Sequence, residues 1–581
     1  MHQPEAPIWI YPKNDPNWVR ALIAEFNLHP VTAEVLATRP FHKLDAIHKY
    51  LYAKLPALYD PYLLPDMDKA VHRILRALYA KENILIYGDN DVDGITSTAL
   101  LTEFLQFLHA HVSYHIPRHN TLKQDLASDV LEFVKGKNIA LLITVDCGIT
   151  AKDTIRKLRE QGTDVIVTDH HEPLSVLPSC TALINPKLSY SSYPEKNLTG
   201  VGVAFKLAHG ISHALINSDK IRRDEIDLKR YLDLVALGTI ADMGSLLGEN
   251  RILIRYGLRQ MRKTRRIGLT KLFALCNIKS SEFTASYIAS KIAPRLNSPG
   301  RIADPYKVVE LLLTRSIERA EHISKELDST NHTRQTIEKH NTEAIDRYLI
   351  YHPSLLQNKA FVLSSTDWHP GVIPIIAAKM AKQYNRPTIL IAIEEGIGKG
   401  SMRTIPEFPL INLLKENSQL LESFGGHDFA AGFLIKAENI PPLRRYFIEK
   451  ANTLLTLQDL TPKLHLDAEI SLRDLTFDFM ESLHLLEPFG LDNPAPIFYS
   501  KVEQLWPCKS IGEHHLKLYL TNIDSASHPG MLEGIGFGMS HRKKELQSKL
   551  PLYIAFTPQI NHFLTKSNIQ LLIRDFKICR E

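Results

Sequence analysis

The sequence predicts an α/β protein: a parallel-sheet domain, a long connecting helix, a smaller α/β domain and a small all-β barrel at the end of the chain. Three observations predict it. From Asn83 onward short apolar segments alternate with amphipathic ones; between Tyr306 and Tyr351 charge is dense and helically spaced; after Leu455 short alternating segments are separated by turn residues.

In the first region NILIYGD, VSYHIP, ALLITVD and DVIVTDHH read as strands, with GITSTALLTEFLQFLHA a helix between the first two. Strands joined through helices form βαβ units, so the sheet is parallel and covered by helices. Ligands of such sheets gather outside the carboxyl ends of the strands. Asp89, Asp146 and Asp169 each stand where an apolar strand stops, so three acids from separate strands are expected in one crevice.

The stretch through VVELLL, ERAEHISKEL and TRQTIEKHNTEAIDRYLI reads as the connecting helix. A second α/β unit follows, with strands at KAFVLSS and PTILIAI and a glycine-rich stretch, GIGKGSMRT. KLHLDAEISL, HHLKLYL, PLYIAFTP and NIQLLIRDF then alternate as barrel strands do. The expected limits are 1–60 for an N-terminal segment, 61–305 for the first domain, 306–352 for the helix, 353–456 for the second domain and 457–581 for the barrel. Internal repeats are absent.

A chain of 581 residues exceeds what one core supports. With 44% hydrophobic and 23% charged residues it has a globular composition, which excludes fibrous and disordered classes. Its five cysteines are scattered and odd in number, which argues for a reducing compartment and against a disulfide scaffold or zinc ribbon. The first residues mix prolines and acids among apolar ones, unlike a signal peptide, and the sequence holds no apolar run of bilayer length. A cytoplasmic protein with no membrane partner is expected. The net charge of +5 fits a polyanionic partner without requiring one.

GDNDVDG sets Asp89, Asp91 and Asp93 at alternate positions, so an extended chain points like charges the same way. Such crowding is costly unless a cation neutralises it. A solvated acidic turn is the bland alternative; a calcium loop lacks its later ligands and closing glutamate here. TVDCG adds Asp146, VTDHH adds Asp169, His170 and His171, and LVALGTIADMG ends on Asp242. One core and one exposed histidine is the ordinary reading of such a pair. Mixed carboxylate and imidazole ligands suit Mn²⁺ or Mg²⁺ better than a metal that prefers thiolates.

In order, GDNDVDG, TVDCG, TDHH and LGTIADMGSLLGENR resemble the four motifs of the DHH phosphoesterase superfamily, and FGGHDFAAGF resembles the Gly-Gly-His motif of its associated second (DHHA1) domain. IAPRLNSPGRI, DWHPGVIPIIAAKM, GKGSMRT, EPFGLDNPAPIF and EHHLKLYL are similar to stretches of the RecJ exonuclease family within it. The resemblance spans about residues 60 to 581 and implies a bilobed nuclease with an OB-type barrel. It implies two Mn²⁺ or Mg²⁺ ions, with Asp146 bridging them, Asp91, Asp93, Asp242 and His170 completing the ligand shells, and Asp89 close by. His171 is then free to donate to the scissile phosphate. Ser401, Arg403, Gly425, Gly426 and His427 are expected to hold the other end of the substrate.

The implied activity is stepwise removal of 5′-mononucleotides from single-stranded DNA in repair and recombination, by a monomer that works with single-stranded-DNA-binding protein and a RecQ-type helicase. Two departures stand out. Asn90 replaces the family's usual tyrosine between the first two acids. PRHNTLKQDLAS replaces an Arg-x-x-Glu-Gly-Tyr-Gly loop, with Arg118, displaced by one residue, standing in for its arginine. The loop's route to DNA differs; the metal ligands are intact.

RILIRYGLRQMRKTRR stacks Arg251, Arg255, Arg259 and Arg262 about a turn apart, a solvated basic face or a phosphate track. Phe489, Phe498, Trp506, Tyr519 and Lys517 are the barrel's candidates for base stacking, against a core role. Two other readings compete: a phosphodiesterase acting on short oligoribonucleotides, cyclic dinucleotides or pyrophosphate, which has no use for the barrel, and a non-catalytic scaffold, which has no use for a complete ligand set.

Overall fold

The computed structural model describes residues 6–117, 128–279, 283–522, 530–547, 550–563 and 566–579. They fall into two compact units, one of residues 54–456 with 490–492, the other of residues 2–53, 457–489 and 493–581.

The first unit opens with a parallel five-stranded sheet in the order His111–His115, Asn83–Gly88, Ile139–Val145, Asp164–Thr168 and Ala182–Ile184. The central strands are apolar on both sides because both faces are covered, one by the core of Ile84, Ile86, Leu141 and Ile143, the other by that of Leu85, Leu142, Val165 and Val167. The helix Val92–Phe107 leaves the strand Asn83–Gly88 and is buried almost all round, as its lack of a polar face requires. Gly94 allows that tight departure: a Cβ there would lie 2.5 Å from the Asp89 carbonyl oxygen. The helices Gly200–Asn217 and Leu232–Ala241 pack against it.

The charged stretch after Tyr306 folds as two helices, Tyr306–Leu313 and the 35-residue Ile317–Tyr351. Ser316 separates them, its side chain accepting the Arg319 amide as an N-cap. A second sheet follows in the order Leu421–His427, Ala430–Lys436, Ile397–Arg403, Thr388–Glu394 and Phe361–Ser365, with only the last pair parallel. Residues 397–403, within the glycine-rich stretch, are a strand in the middle of this sheet. The glycines serve packing: a Cβ on Gly400 would sit 2.1 Å from the Phe433 ring.

In the second unit, five strands in the order Phe498–Ile511, His515–Asn522, Leu532–Gly536, Lys566–Ile578 and Leu552–Phe563 close on themselves through the pairing of the first with the last. The N-terminal residues belong to this unit. Ile8–Ile10 pairs in parallel with Lys463–His465, and Trp9 Nε1 donates to Asp575 Oδ2 at 2.7 Å. Among the described residues no helix is long and apolar enough to cross a membrane.

Candidate metal centre

The carboxyl end of the parallel sheet gathers the acids. Asp89 ends the strand Asn83–Gly88, and Asp91 caps the following helix, its Oδ1 accepting the amides of Asp93 at 2.9 Å and Gly94 at 3.1 Å. One Asp91 oxygen is thereby spent on the helix terminus. Asp146 follows the strand Ile139–Val145 with φ of +62°, a left-handed conformation that a non-glycine residue adopts at a cost of roughly 1–2 kcal/mol. Its amide is held by the Thr168 carbonyl at 3.0 Å, and Gly200 packs so close that a Cβ would lie 2.5 Å from Asp146 Oδ1. Asp242 caps the carboxyl end of the helix Leu232–Ala241.

Three sets of ligand atoms lie within 4.8 Å of one another: Asp89 with Asp91 and Asp146; Asp93 with His170 and Asp242; Asp146 with His170 and His171. Asp146 and His170 belong to two sets each, so the groups form one continuous cluster. His170 Nε2 stands 3.0 Å from Asp146 Oδ1 and 3.8 Å from oxygens of both Asp93 and Asp242. The 3.0 Å approach lacks hydrogen-bond geometry, and both atoms are buried without a hydrogen-bond partner. Buried polar groups are rarely left so. A divalent cation accepts lone pairs from both, and the donor set of carboxylate oxygen and imidazole nitrogen fits Mn²⁺ or Mg²⁺.

The electrostatics agree. Burial, then the Asp91 charge, pushes the Asp89 carboxyl up to about 6, and the same two causes raise Asp242 to about 7. Burial and the neighbouring acids hold Asp93 and Asp146 well above the usual carboxylate range. Burial drives His170 down to about 3, leaving its imidazole neutral and its lone pair available. Without a cation these charges repel; with one, their protons are displaced.

Asp169 has a different part. Its Oδ1 accepts the amides of His170 at 2.7 Å and His171 at 3.0 Å and the Nδ1 of His171 at 2.8 Å, while Oδ2 accepts the Ile149 amide at 2.9 Å. Burial alone raises a carboxyl, but here the His171 hydrogen bond and charge prevail and hold Asp169 at about 2. His171 in turn, against its burial, is raised by Asp169 to about 9. Its side chain is 54% exposed, so a cationic imidazole anchored at Nδ1 remains accessible to solvent.

The sequence did not single out the residues that hold these groups. The amides of Gly200 and Val201 donate to Asp93 Oδ2 and Oδ1 at 2.6 and 2.8 Å, a helix N-terminus serving an anion. The glycines of LTGVG were the available signal. Asn185, fully buried, donates to the His171 carbonyl at 2.9 Å and accepts the Lys187 amide at 2.8 Å. Nothing local distinguishes that asparagine.

In the second sheet, register aligns Ser401, Gly432 and Gly425 in one row across three strands and Arg403, Ala430 and His427 in the next row but one, on the same face. Arg403 Nη1 donates to Ser401 Oγ at 3.2 Å. Burial, then the Arg403 charge, lowers the His427 imidazole, and burial, then Arg301, lowers Arg403. Gly426, at φ +144°, abuts the Ala430 carbonyl, where a Cβ would be 2.3 Å away. Ser401, Arg403, Gly425, Gly426 and His427 thus form one corner of that sheet. Arg118 lies outside the described residues.

The basic helix Gly248–Met261 is not a uniform charged face: Arg251 is 2% exposed, Arg255 half-buried, and Arg259 and Arg262 alone of the four are less enclosed. In the barrel Phe498 is core, whereas Trp506 is 54% exposed and meets Tyr519 edge-on at 5.4 Å, with Lys517 5.5 Å from the Tyr519 ring.

Three family descriptions match the chain: "DHH family, N-terminal domain" over residues 83–239, "DHHA1 domain" over 357–453 and "RecJ OB domain" over 466–575. The single-stranded-DNA-specific exonuclease RecJ of Bacillus subtilis is 35% identical over 574 residues, 98% of this chain and 70% of that protein. The protein of the same name from Haemophilus influenzae is 32% identical, covering 90% and 93% of the two chains. The crystal structure of RecJ from Thermus thermophilus in complex with Mn²⁺ superposes with a TM-score of 0.83 at 28% identity, over 99% of this chain and 80% of that one. A structure of RecJ from the same organism in complex with Mg²⁺ superposes at 0.76, with 25% identity over 99% and 79% of the two chains. With identity of this extent along nearly the whole sequence, and with the ligand cluster at the carboxyl end of the DHH-type sheet, the chain belongs to the RecJ family.

Proposed function

We propose that this chain is a metal-dependent exonuclease that removes 5′-mononucleotides from the 5′ end of single-stranded DNA, in DNA repair and recombination. The observation that carries the reading is the buried cluster in which Asp146 Oδ1 and His170 Nε2 lack hydrogen-bond partners. The names of the relatives from Bacillus subtilis and Haemophilus influenzae support the substrate, and the Mn²⁺- and Mg²⁺-bound structures support the ions.

Asp146, Asp91, Asp93, Asp242 and His170 would hold the two ions, with Asp89 beside them. Two bound divalent cations supply Lewis acidity, lowering the pKa of water toward neutrality and offsetting charge on the phosphate. The chain does the rest. Asp169 anchors the His171 ring, which directs the proton on Nε2 toward the scissile phosphate and stabilises its growing negative charge. Asp89, beside the ligand set, would take the proton from the attacking water. Ser401, Arg403, Gly425, Gly426 and His427 bind the 5′-terminal phosphate, and one nucleotide spans from there to the cluster.

Trp506, exposed beside Tyr519 and Lys517, stacks a base of the single strand on the barrel. A substrate taken as a single strand means that a duplex must first be unpaired and a coiled strand extended. Single-stranded-DNA-binding protein and a RecQ-type helicase are the partners that match those needs, and the five unpaired cysteines agree with a cytoplasmic setting. The test is digestion of single strands and blunt duplexes labelled at either end: mononucleotides should leave the 5′ end of the single strand, and degradation from the 3′ end would defeat the proposal.

A further inference from the structure

The acidic loop satisfies three of its amides from within. Asn90 donates to Asp89 Oδ1 at 2.6 Å, and Asp93 and Gly94 donate to Asp91 Oδ1. The Val92 amide is different: it donates at 3.0 Å to Asn297 Oδ1, a residue 205 positions away. Asn297 lies on the helix Ala293–Ile302, and one turn further on that helix Gly300 lies against the same loop, where a Cβ would stand 2.3 Å from the Asn90 carbonyl oxygen. Residues three apart share a helix face, so Asn297 and Gly300 form a floor under residues 90–92.

The approach to that floor is irregular. The helix is entered through a π-turn, Ile288–Ile292, which adds a residue to one turn and so rotates everything after it by about 100°. Without that insertion another face would meet the acidic loop. The helix is also pinned from behind by Ser298 Oγ, 3.1 Å from Asn331 Oδ1 of the helix Ile317–Tyr351.

From these contacts we propose that Asn297 is a positioning residue of the metal centre. Asp91 and Asp93 flank Val92 and carry like charges that repel. Holding the Val92 amide from outside the loop keeps both carboxylates in the arrangement that receives the cations, and Gly300 sets how closely the floor approaches. Asn297 acts through the loop backbone and touches no reacting atom. The inference rests on the metal-centre reading above.

The test is a titration of the full chain with Mn²⁺ alone, read by calorimetry or by the spin resonance of free Mn²⁺, on wild type, Asn297→Ala, Asn297→Asp, Gly300→Ala and Asp146→Ala. Residues that support metal ligands typically contribute about 10- to 100-fold in affinity, so Asn297→Ala should bind Mn²⁺ about tenfold or more weakly. At saturating Mn²⁺ its KM for a single strand should stay within about twofold, since no ground-state contact to DNA is lost. Asn297→Asp keeps the acceptor and should bind Mn²⁺ within about threefold of wild type. Gly300→Ala forces the loop off its floor and should weaken Mn²⁺ like Asn297→Ala, which keeps the test alive if the latter does not fold. A wild-type isotherm for Asn297→Ala, or for Gly300→Ala in its place, overturns the proposal, as does an Asn297→Asp isotherm as weak as that of Asn297→Ala. If Asp146→Ala also binds Mn²⁺ normally, the metal-centre reading itself fails; if Asp146→Ala alone loses binding, only the role of Asn297 does.

Discussion

His171 Nδ1 lies 2.8 Å from Asp169 Oδ1, and that contact separates the two histidines of the pair into different roles. Raised to about 9 with Asp169 holding Nδ1, His171 carries a proton on its other nitrogen too. His170, driven to about 3 by burial, stays neutral. Replacing His171 by Ala should therefore lower kcat by about 100-fold or more, the usual loss when a donor to a developing negative charge is removed. Mn²⁺ binding should be unchanged. A parallel loss of Mn²⁺ affinity, measured by calorimetry, would make His171 a ligand instead.

Arg403→Ala removes the guanidinium from the sheet corner that also holds Ser401 and His427. A charge-assisted hydrogen bond to phosphate is worth roughly 1.5–3 kcal/mol, so preference for 5′-phosphorylated over 5′-hydroxyl strands should fall about 10- to 100-fold. The ratio of cleavage rates on the two substrates, at fixed salt and Mn²⁺, checks this. A wild-type ratio near unity would remove the terminal phosphate from that corner.

Trp506, 54% exposed, is the barrel aromatic best placed to stack a base. Trp506→Ala should weaken binding of a long single strand by about 1–3 kcal/mol with little change in salt slope, because stacking releases no counterions. Hydrolysis of di- and trinucleotides should be spared. Equal losses on short and long strands would place the defect elsewhere.

How far the sequence was legible follows from how local each signal is. Asp89, Asp146 and Asp242 stand out because each ends an apolar element whose period is written in its own residues, and Asp91 and Asp93 because they alternate with Asp89. The saturation of Asp169 was not, since its partners are the backbone amides of a turn and of Ile149, 20 residues away. Arg251 read as part of a basic face because charge is visible in a sequence and burial is not; it is 2% exposed. The strand Ile397–Arg403 was hidden by glycines that look like a turn but make room for Phe433. Trp9 meets Asp575 across 566 positions, so no local pattern could attach the N-terminal residues to the barrel.

His209 provides a pH test away from the cluster. Burial, then the Lys206 and His213 charges, lowers it from 6.5 to about 4, and its Nδ1 is buried without a partner. Between those values the unfolded chain binds a proton that the folded chain refuses. Stability is therefore lost as pH falls through that window, by roughly 2 kcal/mol from this group. His209→Phe should flatten the fall in stability between about pH 7 and pH 5, measured by urea unfolding. Identical slopes for variant and wild type would contradict the assignment.

The most direct test of the central claim is the Mn²⁺ dependence of single-strand cleavage in wild type and Asp146→Ala. Asp146 belongs to two of the three ligand sets and carries the strained backbone that presents it. Wild type should release mononucleotides from the 5′ end only when Mn²⁺ or Mg²⁺ is supplied. Asp146→Ala should be inactive at every Mn²⁺ concentration yet bind the same strand with nearly wild-type affinity, since that affinity comes mainly from phosphate contacts elsewhere. Near-normal turnover by Asp146→Ala, or metal-independent cleavage by wild type, would contradict the account.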